Sequence, residues 1–378
     1  MRRALLAVVA VLALAAPVHA SSAGAQTAEP RIAAASWYLV GEDGAVLARS
    51  AASAPRAVAS ITKLMTAIVA LEHARTSDVV RVSPSVTSIG ESTVYLRAGE
   101  ELTVADLVRA TLIPSANDAA QALALHVGAG SSSRFVELMN AKAAELRLTD
   151  THFVNPHGLD EAGHVSSARD ATVLVRHALG IPFPRDALSR TSVTLPGGRT
   201  FPTTDDLLVG WGPLLGGKTG HTRGAGWSQA AAAKRAGVTV YGTVLGSDTR
   251  ASRNEALRAL LAFGLDQYHR VEVVDAARVY ATAETGYGRP DVELVAQRPA
   301  VATLRSGKPL VERVIAPSAL ALPVAERAVV GRVELYDGDR LVASSNLVTA
   351  AAVDDAGFFE KVQWYATRTV ANAWGIVT

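Results

Sequence analysis

The 378-residue chain is long enough to form two domains, each with its own hydrophobic core. Hydrophobic residues make up 49% of the chain and charged residues only 19%, proportions that indicate a globular protein and exclude an intrinsically disordered one. Cysteine is absent from the sequence, which excludes disulfide bonds and thiolate chemistry.

The first 25 residues have the layout of a secretory signal peptide. Two arginines precede an apolar run over residues 4–16, and two small-residue cleavage sites end at Ala20 and Ala25. The run is short for a transmembrane helix, so we expect an exported chain, with an uncleaved N-terminal anchor as the alternative. Without residues 1–25 the chain has 35 basic and 35 acidic side chains, and this neutrality gives no electrostatic reason to bind nucleic acid.

Strand patterns lie at both ends of the first two thirds of the chain, and helical patterns lie between them. A helix is expected to open close to Ser60, and residues 91–96 are expected to be extended. The order predicts an α+β fold whose sheet is built from both ends around a helical insert. The other predicted helices are residues 103–112, 118–127, 132–146, 168–179 and 253–268, and the other predicted strands are 37–40, 45–49, 191–195, 199–201, 217–222, 226–233 and 238–245.

The sequence pattern changes from about Val271. Short apolar or alternating stretches, broken by prolines and by the Asp337-Gly338-Asp339 turn, predict a separate small all-β domain. A helical period follows, with one apolar side: Phe358, Phe359, Val362, Tyr365, Ala366, Val370, Ala373 and Trp374. We therefore divide the chain into residues 1–25, 26–268, 269–354 and 355–378.

The first candidate for chemistry is Ser60-Ile61-Thr62-Lys63. Residues three apart lie on one face of a helix, so the Ser60 hydroxyl and the Lys63 amine can meet. A serine needs a base to become a nucleophile, and a lysine serves as one where an apolar site or a second cation lowers its pKa. By itself the pattern is more typical of an ordinary helix than of a catalytic site.

Two further segments carry polar residues in positions that suggest a cleft. Ser115-Ala116-Asn117 interrupts a helix after a proline, and its residues can face a cleft or simply cap the next helix. Lys218-Thr219-Gly220 lies on a predicted strand, where an extended peptide can add its own main chain and Gly220 allows close backbone approach. An exposed strand with a solvated lysine is the alternative.

The three segments match S-x-x-K, S-x-N and K-T-G in order, the signature of class A β-lactamases and penicillin-binding proteins. The chain resembles the low-molecular-weight penicillin-binding proteins, the serine D-alanyl-D-alanine carboxypeptidases of peptidase family S11. The sequence similarity covers roughly residues 35–268. Besides the three motifs, the similar segments are residues 59–67, 95–100, 155–159 and 217–222.

The resemblance implies a β-lactamase/transpeptidase-like catalytic domain over residues 26–268. It implies that Ser60 attacks the carbonyl of a D-Ala-D-Ala bond and forms an acyl-enzyme, while Lys63 takes its proton. Ser115 and Lys218 would help to shuttle protons, and Asn117 would hold the peptide.

The remaining site residues also come from the resemblance. The backbone N–H groups of Ser60 and His221 would form the oxyanion hole, and Gly220 belongs to the same strand. Thr219 and Arg253 would bind the terminal carboxylate of the substrate. Water would then hydrolyse the ester, so the reaction would be that of a carboxypeptidase, with no cofactor and no metal ion.

The resemblance also implies partners and a location. Peptidoglycan stem peptides would be the substrates, β-lactam antibiotics would acylate the enzyme, and nucleic acid would not be a partner. The protein would work in the periplasm, at the outer face of the cytoplasmic membrane. The β domain over residues 269–354 would be a sandwich, and residues 355–378 would lie on the membrane surface, although this helix carries only Lys361 and Arg368 as cations. A helix packed on its own β domain is the alternative.

One stretch departs from the family pattern. The usual Asn-Thr-Asn before a Leu-Leu pair is here Thr203-Thr204-Asp205, so one wall of the cleft is expected to differ.

Other functions remain as competing hypotheses. A D,D-endopeptidase would use the same residues, a β-lactamase would need a water-activating carboxylate that the sequence does not place, and a non-catalytic cell-wall protein would leave the site idle. His152, His157 and His164 suggest zinc only weakly, because no H-E-x-x-H motif occurs.

Overall fold

The computed structural model describes residues 11–12 and 30–374, and within the last helix it describes side chains only as far as residue 367. Apart from Val11–Leu12 (β1), the predicted signal peptide lies outside the described residues. The chain forms two compact units, Gln26–Gln267 and a second that begins at Tyr268, and each is treated by itself below. Among the described helices, none combines the length and the apolar character that a membrane span requires.

The first unit has nine strands and eight α-helices among its described residues. Two 3-10 helices, Ala59–Thr62 and Pro84–Ser88, complete it. The strands are β2 (Ser36–Gly41), β3 (Val46–Ser50), β4 (Val79–Arg81), β5 (Glu101–Thr103), β6 (Ser192–Leu195), β7 (Arg199–Pro202), β8 (Leu214–Thr222), β9 (Gly226–Arg235) and β10 (Val238–Ser247). The helices are α1 (Lys63–His73), α2 (Val104–Leu112), α3 (Asn117–Val127), α4 (Ser132–Glu145), α5 (Ala168–Gly180), α6 (Pro182–Leu188), α7 (Asp206–Gly210) and α8 (Arg250–Asp266).

The main sheet joins strands from the two ends of this unit, as the sequence predicted. Its order is β3-β2-β10-β9-β8, and every neighbouring pair is antiparallel. The β2–β10 pairing brings Ser36 opposite Leu245, which closes the sheet around the helical insert. This arrangement confirms the α+β prediction and leaves β8 at an edge of the sheet.

Helix α1 runs through the core of the unit. Leu64, Met65 and Ile68 are completely buried, and so is the charged residue Lys63 at the helix start. A helix that is apolar on all sides is stable only when it is surrounded by other elements, and α2, α3, α4 and α5 all contact α1. The 3-10 turn that carries Ser60 therefore continues directly into a buried helix.

Helix α2 begins where its sequence predicted. Thr103 accepts a hydrogen bond from the Asp106 backbone N–H, and the Asp106 side chain accepts one from the Thr103 backbone N–H. This reciprocal capping box satisfies two backbone donors at the helix start.

One local prediction was wrong. Residues 91–96 form no strand, because the buried Asp118 carboxylate accepts the backbone N–H groups of Val94 and Leu96 at 3.2 and 3.0 Å and so replaces a partner strand. The helix predicted to open close to Ser60 is confirmed: Ser60 lies in the 3-10 turn, and α1 follows it from Lys63.

The second unit is an all-β domain followed by one helix. Strands β1, β15, β16, β17, β13 and β12 form a six-stranded sheet in that order, and β11 pairs with β14 in a two-stranded sheet. Both sheets contribute to one core, with Val274 and Leu294 completely buried. The elements are β11 (Tyr268–Val274), β12 (Val279–Ala283), β13 (Val292–Ala296), β14 (Ala300–Arg305), β15 (Val311–Ile315), β16 (Val329–Asp337), β17 (Arg340–Thr349) and α9 (Phe358–Trp374).

Candidate active site

The turn that carries Ser60 is held by two close backbone approaches. A Cβ atom on Gly158 would lie 2.0 Å from the Ala59 carbonyl oxygen, and one on Gly220 would lie 2.8 Å from the Val58 carbonyl oxygen. Both glycines therefore let neighbouring chain segments close on the turn from two sides. Ala59 itself has a φ of 48°, a left-handed conformation that is strained for alanine and that places Ser60 at the cleft.

Lys63 reaches Ser60 and two carbonyl oxygens. Its Nζ lies 2.6 Å from Ser60 Oγ, 2.6 Å from Asn117 Oδ1 and 2.8 Å from the His157 backbone oxygen. The carbonyl oxygens of Asn117 and His157 only accept hydrogen bonds, whereas a hydroxyl also donates. A neutral amine has two protons and one lone pair, so it can donate to both carbonyls and accept the Ser60 proton.

The surroundings of Lys63 favour that neutral form. Burial lowers the pKa of Lys63 well below its ordinary value because the charged form loses its hydration. The positive charge of Lys218 lowers the pKa further, while Glu91 and Asp118 oppose the shift. An amine in this state is poised to accept a proton rather than to release one.

The Ser115–Asn117 segment joins α2 to α3 and faces the same cavity. Ser115 has a φ of 66°, so the chain turns sharply there, and its side chain is 5% exposed. The Asn117 backbone N–H donates to the Ser92 carbonyl at 2.7 Å, and Asn117 Nδ2 donates to the Gly90 carbonyl at 2.9 Å. These bonds fix Asn117 while its Oδ1 accepts from Lys63.

Lys218 projects from β8 to Ser115. Its Nζ donates to Ser115 Oγ at 2.9 Å and to the Thr219 carbonyl at 3.0 Å. Burial lowers the pKa of Lys218 to about 7, and Arg253 lowers it too, while Asp205 raises it. Lys218 can therefore exchange a proton with Ser115 near neutral pH.

The edge strand β8 passes directly beside the turn of Ser60. A Cβ on Gly220 would lie 3.2 Å from the Ser60 backbone nitrogen, so the strand and the turn are as close as their backbones allow. The next residue on the strand is His221, whose ring stacks on Trp227 with 3.9 Å between the ring centres.

A cavity of about 160 Å³ lies between these segments. Its lining joins the predicted site residues to others that the sequence reasoning missed. Predicted residues in the lining are Ser60, Ser115, Asn117, Thr219, Gly220, His221 and Arg253; the missed ones are Glu91, Ser92, Thr204, Trp227 and Arg250. Lys63 and Lys218 lie behind it and reach Ser60 and Ser115 from within the protein.

Arg253, which the family resemblance predicted as a site residue, is 1% exposed. Its guanidinium lies 5.9 Å from the centre of the Trp227 ring and 3.6 Å from an Asp206 carboxylate oxygen. Thr204 Oγ1 lies 2.7 Å from Thr219 Oγ1, which ties the wall of the cleft to β8. Because residues 203–205 depart from the family sequence pattern, the sequence pointed to this wall of the cleft. No pattern in the sequence pointed to Glu91 or Trp227 as cavity residues.

His157 and His164 support the turn. Burial lowers the pKa of His157 to about 3 and that of His164 to about 4. His164 Nδ1 accepts from the Val154 backbone N–H at 3.1 Å, so its Nε2 carries the proton and donates to Thr62 Oγ1 at 2.7 Å. In the part of the chain that the structure describes, no three His, Asp or Glu side chains are grouped to hold a metal ion.

Comparison with known proteins agrees with this geometry. The family model for D-alanyl-D-alanine carboxypeptidase, peptidase S11, matches residues 23–249, and that for the C-terminal domain of penicillin-binding protein 5 matches residues 268–355. The chain is 33% identical to D-alanyl-D-alanine carboxypeptidase DacD of Escherichia coli over 356 residues, 89% of this chain and 91% of that protein.

Solved structures show the same relationship. Penicillin-binding protein 5 of Haemophilus influenzae aligns with a TM-score of 0.63 and 27% identity, covering 86% of this chain and 99% of that one. The Streptomyces K15 DD-transpeptidase aligns with a TM-score of 0.59 and 29% identity, covering 63% of this chain and 98% of its own. The chain belongs to the peptidase S11 family of D-alanyl-D-alanine carboxypeptidases.

Proposed function

We infer that Ser60 is the nucleophile and Lys63 the base of a serine D-alanyl-D-alanine carboxypeptidase. The observation that carries this assignment is the set of partners around Lys63 Nζ: two carbonyl oxygens and the Ser60 hydroxyl, all within 2.8 Å. Only the hydroxyl can give a proton to the amine. Its loss to Lys63 produces the alkoxide that attacks a peptide carbonyl.

The first half-reaction forms an acyl-enzyme. Ser60 Oγ bonds to the carbonyl carbon of the penultimate D-alanine, and the carbonyl oxygen becomes an oxyanion that the backbone N–H groups of Ser60 and His221 stabilise. When the tetrahedral intermediate collapses, the C–N bond breaks and the departing D-alanine amine takes the proton that Lys63 received from Ser60, which leaves Lys63 neutral again. Ser115, whose Oγ accepts a hydrogen bond from Lys218, would relay that proton to the amine.

The second half-reaction uses water. Lys63 removes a proton from the water molecule, whose oxygen attacks the ester carbonyl, and Ser60 leaves with a proton returned to its Oγ. The products are the shortened peptide and free enzyme. A β-lactam presents a strained amide to the same serine, so it forms the same type of ester.

The opposite end of the cavity suits a carboxylate. Thr219 and Arg253 line it, and the nearby Lys218 adds positive charge. Guanidinium and hydroxyl groups bind carboxylates strongly, because charge-assisted hydrogen bonds are the stronger kind. A substrate with a free C-terminal carboxylate one residue beyond the scissile bond therefore fits the cavity, as a peptidoglycan stem peptide ending in D-Ala-D-Ala does.

We further propose that residues 26–268 are the catalytic domain, residues 269–354 a β-sandwich domain and residues 355–378 a membrane-surface helix. The K15 structure, which aligns over nearly its whole length with 63% of this chain, supports a catalytic domain of this size. The signal-peptide pattern supports export to the periplasmic side.

The first two turns of α9 contact their own unit and also carry exposed aromatic side chains. Glu360 pairs with Arg289 at 2.8 Å, and the Trp364 ring contacts the Tyr287 ring, so this end of the helix is tied to its own unit. Phe358 and Phe359 nevertheless remain 75% and 84% exposed. Large exposed aromatic groups on an amphipathic helix are suited to a lipid interface.

Vesicle binding tests this role. Sedimentation with vesicles of phosphatidylethanolamine and phosphatidylglycerol is expected to remove the protein from solution, and replacing both Phe358 and Phe359 with Ser is expected to leave it there. Equal sedimentation of the two proteins would refute the membrane-surface role.

Release of D-alanine tests the catalytic assignment. The protein is expected to release D-alanine from a pentapeptide ending in D-Ala-D-Ala, and Ser60→Ala is expected to lose this activity. If the protein instead cleaves only cross-linked peptide dimers, it is a D,D-endopeptidase that uses the same residues. Unchanged D-alanine release by Ser60→Ala would refute the role of Ser60.

A further inference from the structure

Asp205 is a buried acid that the proposed mechanism does not use. It is the last residue of Thr203-Thr204-Asp205, the segment that departs from the family sequence pattern, in which this position is an asparagine. The residue is 3% exposed, and its Oδ1 accepts the Leu207 backbone N–H at 3.1 Å as the N-cap of α7. Its Oδ2 is buried and accepts no hydrogen bond from the residues that the structure describes.

The N-cap gives a role to Oδ1 of Asp205, but it does not explain why the residue carries a charge. Asparagine caps a helix about as well as aspartate does, so the N-cap alone does not require a carboxylate. Burial of a charge is unfavourable unless other charges or dipoles compensate it. The reason for the carboxylate must therefore lie in the groups that surround it.

Those groups include two cationic residues of the proposed active site, Lys218 and Arg253. Burial raises the pKa of Asp205, while the Gln229 amide, the positive charge of Arg253 and the backbone N–H groups of residues 207 and 208 lower it. Asp205 in turn raises the pKa of Lys218, which Arg253 lowers. Lys218 and Arg253 are each 1% exposed, so water screens these charges poorly.

The segment is also attached to the site on both sides of Asp205. Thr204 bonds to Thr219 on β8 at 2.7 Å, and Asp206 lies 3.6 Å from Arg253 on α8. Asp205 is thus held between the strand that carries Lys218 and the helix that carries Arg253. A change in the position of Asp205 would therefore change the electrostatic environment of both Lys218 and Arg253.

Basic side chains outnumber acidic ones around Asp205. The basic residues are Lys218, Arg250 and Arg253, the acidic ones are Asp205 and Asp206, and Glu91 also lines the cavity. The terminal carboxylate of a substrate would add negative charge beside these cations. Without Asp205 the positive charge of the empty site would be larger, and Lys218 would lose its proton more readily.

We propose that Asp205 is a positioning residue for the carboxypeptidase reaction: its buried carboxylate balances Lys218 and Arg253 before the substrate carboxylate arrives. The negative charge of Asp205 favours the protonated form of Lys218, and the protonated Lys218 supports Ser115 and attracts the substrate. This inference rests on the roles proposed above for Lys218 and Arg253.

The test is the pH profile of kcat/KM for D-alanine release by Asp205→Asn. The variant keeps the size and the cap of Asp205 and removes only its charge. We expect the alkaline limb, which reports deprotonation of Lys218, to move down by about one pH unit relative to the unsubstituted protein. At pH 8 this shift appears as a roughly tenfold loss, and near pH 6 the loss is smaller.

Asp206→Asn is the matched control, because it removes a neighbouring carboxylate that pairs with Arg250 and Arg253. It can weaken binding but is expected to leave the alkaline limb in place. An unshifted limb in Asp205→Asn would overturn the proposal, and so would an equal shift in both variants. The rate of acylation by a penicillin, measured over the same pH range, is expected to show the same displacement for Asp205→Asn.

Failure of the proposed function would look different. In that case the unsubstituted protein would release no D-alanine at any pH. A lower melting temperature of Asp205→Asn does not by itself shift the alkaline limb of the pH profile. Asp205→Ala loses both the N-cap and the charge, so comparing it with Asp205→Asn separates the effect of stability from the effect of charge. Its limb is expected to coincide with that of Asp205→Asn despite the lower stability, and a limb at the original position would overturn the proposal.

Discussion

The two compact units bury different kinds of polar side chain. In the unit of residues 26–267, Lys63 and Lys218 are almost fully buried, and neither forms an ion pair with a described carboxylate. In the second unit the buried acid Glu312 is paired with Arg278 at 2.7 Å. Unpaired buried charges lower stability, whereas paired ones are tolerated.

Unpaired buried charges indicate a functional site, whereas paired buried charges indicate a structural role. A buried lysine without a counter-ion loses its proton easily, and groups with such perturbed pKa values concentrate at functional sites. The first unit therefore gives up stability at the place where we propose that Lys63 acts as a base. The second unit follows the ordinary rule for a β domain, in which the few buried charges have partners.

The largest effect is expected from Lys63→Arg. Arginine carries a permanent positive charge and does not lose its proton in proteins, so it cannot act as the base. D-alanine release should fall by about 10³-fold, in the usual range for loss of a general base. Lys142→Arg, which changes a lysine in ion pairs with Glu72 and Glu145, should leave the rate unchanged. A Lys63→Arg variant with a tenth of the original rate would contradict the assignment.

A smaller effect is expected from Gly220→Ala. The new Cβ would lie 2.8 Å from the Val58 carbonyl oxygen, so β8 must move away from the turn that carries Ser60. Displacement of an oxyanion-hole donor typically lowers kcat by about 10²-fold. Gly212→Ala is the control, since its Cβ meets nothing within 4 Å. Equal kcat values for the two variants would show that the close approach is unnecessary.

Stability should decrease as the pH falls, because His157 and His164 are both held neutral in the folded protein. The pKa of His164, about 4 in the folded protein, lies below the ordinary 6.5, so the unfolded chain takes up the proton first. The contribution of His164 is complete above pH 6.5 and is lost towards pH 4, by about 2 kcal/mol at pH 4.5. Denaturant unfolding at pH 6.5 and 4.5 should show a smaller difference for His164→Gln, and an unchanged difference would refute this origin.

The smallest effect sharpens the contrast between the units. Glu312→Gln in the second unit breaks the pair with Arg278 and should lower the free energy of unfolding by about 1 kcal/mol. The rate of D-alanine release should not change. Glu326→Gln, at an exposed position, should alter neither quantity. If Glu312→Gln slows D-alanine release, the second unit contributes to the chemistry and the contrast does not hold.

Motifs in the sequence predicted which segments meet. Ser60, Ser115 and Lys218 occur in three segments that match a known signature in order, and the structure brings those segments to one cavity. Alternating and helical periods also predicted the sheet built from both ends, because each strand carries its own pattern.

Long-range contacts explain what the sequence could not predict. The Asp118 carboxylate binds the backbone of residues 94 and 96 and so removes the need for a strand there. Glu91 and Trp227 enter the cavity only because distant segments fold together. Periodicity reports which side of an element is buried, but it does not report which elements meet.

The most direct test of the account is to locate the acyl-enzyme. The protein is incubated with benzylpenicillin, its intact mass is measured, and the modified residue is mapped by proteolysis and mass spectrometry. We expect one penicilloyl group on the peptide that contains Ser60, and none in Ser60→Ala. A penicilloyl group on another residue, or equal labelling of Ser60→Ala, would contradict the assignment of Ser60 as the nucleophile.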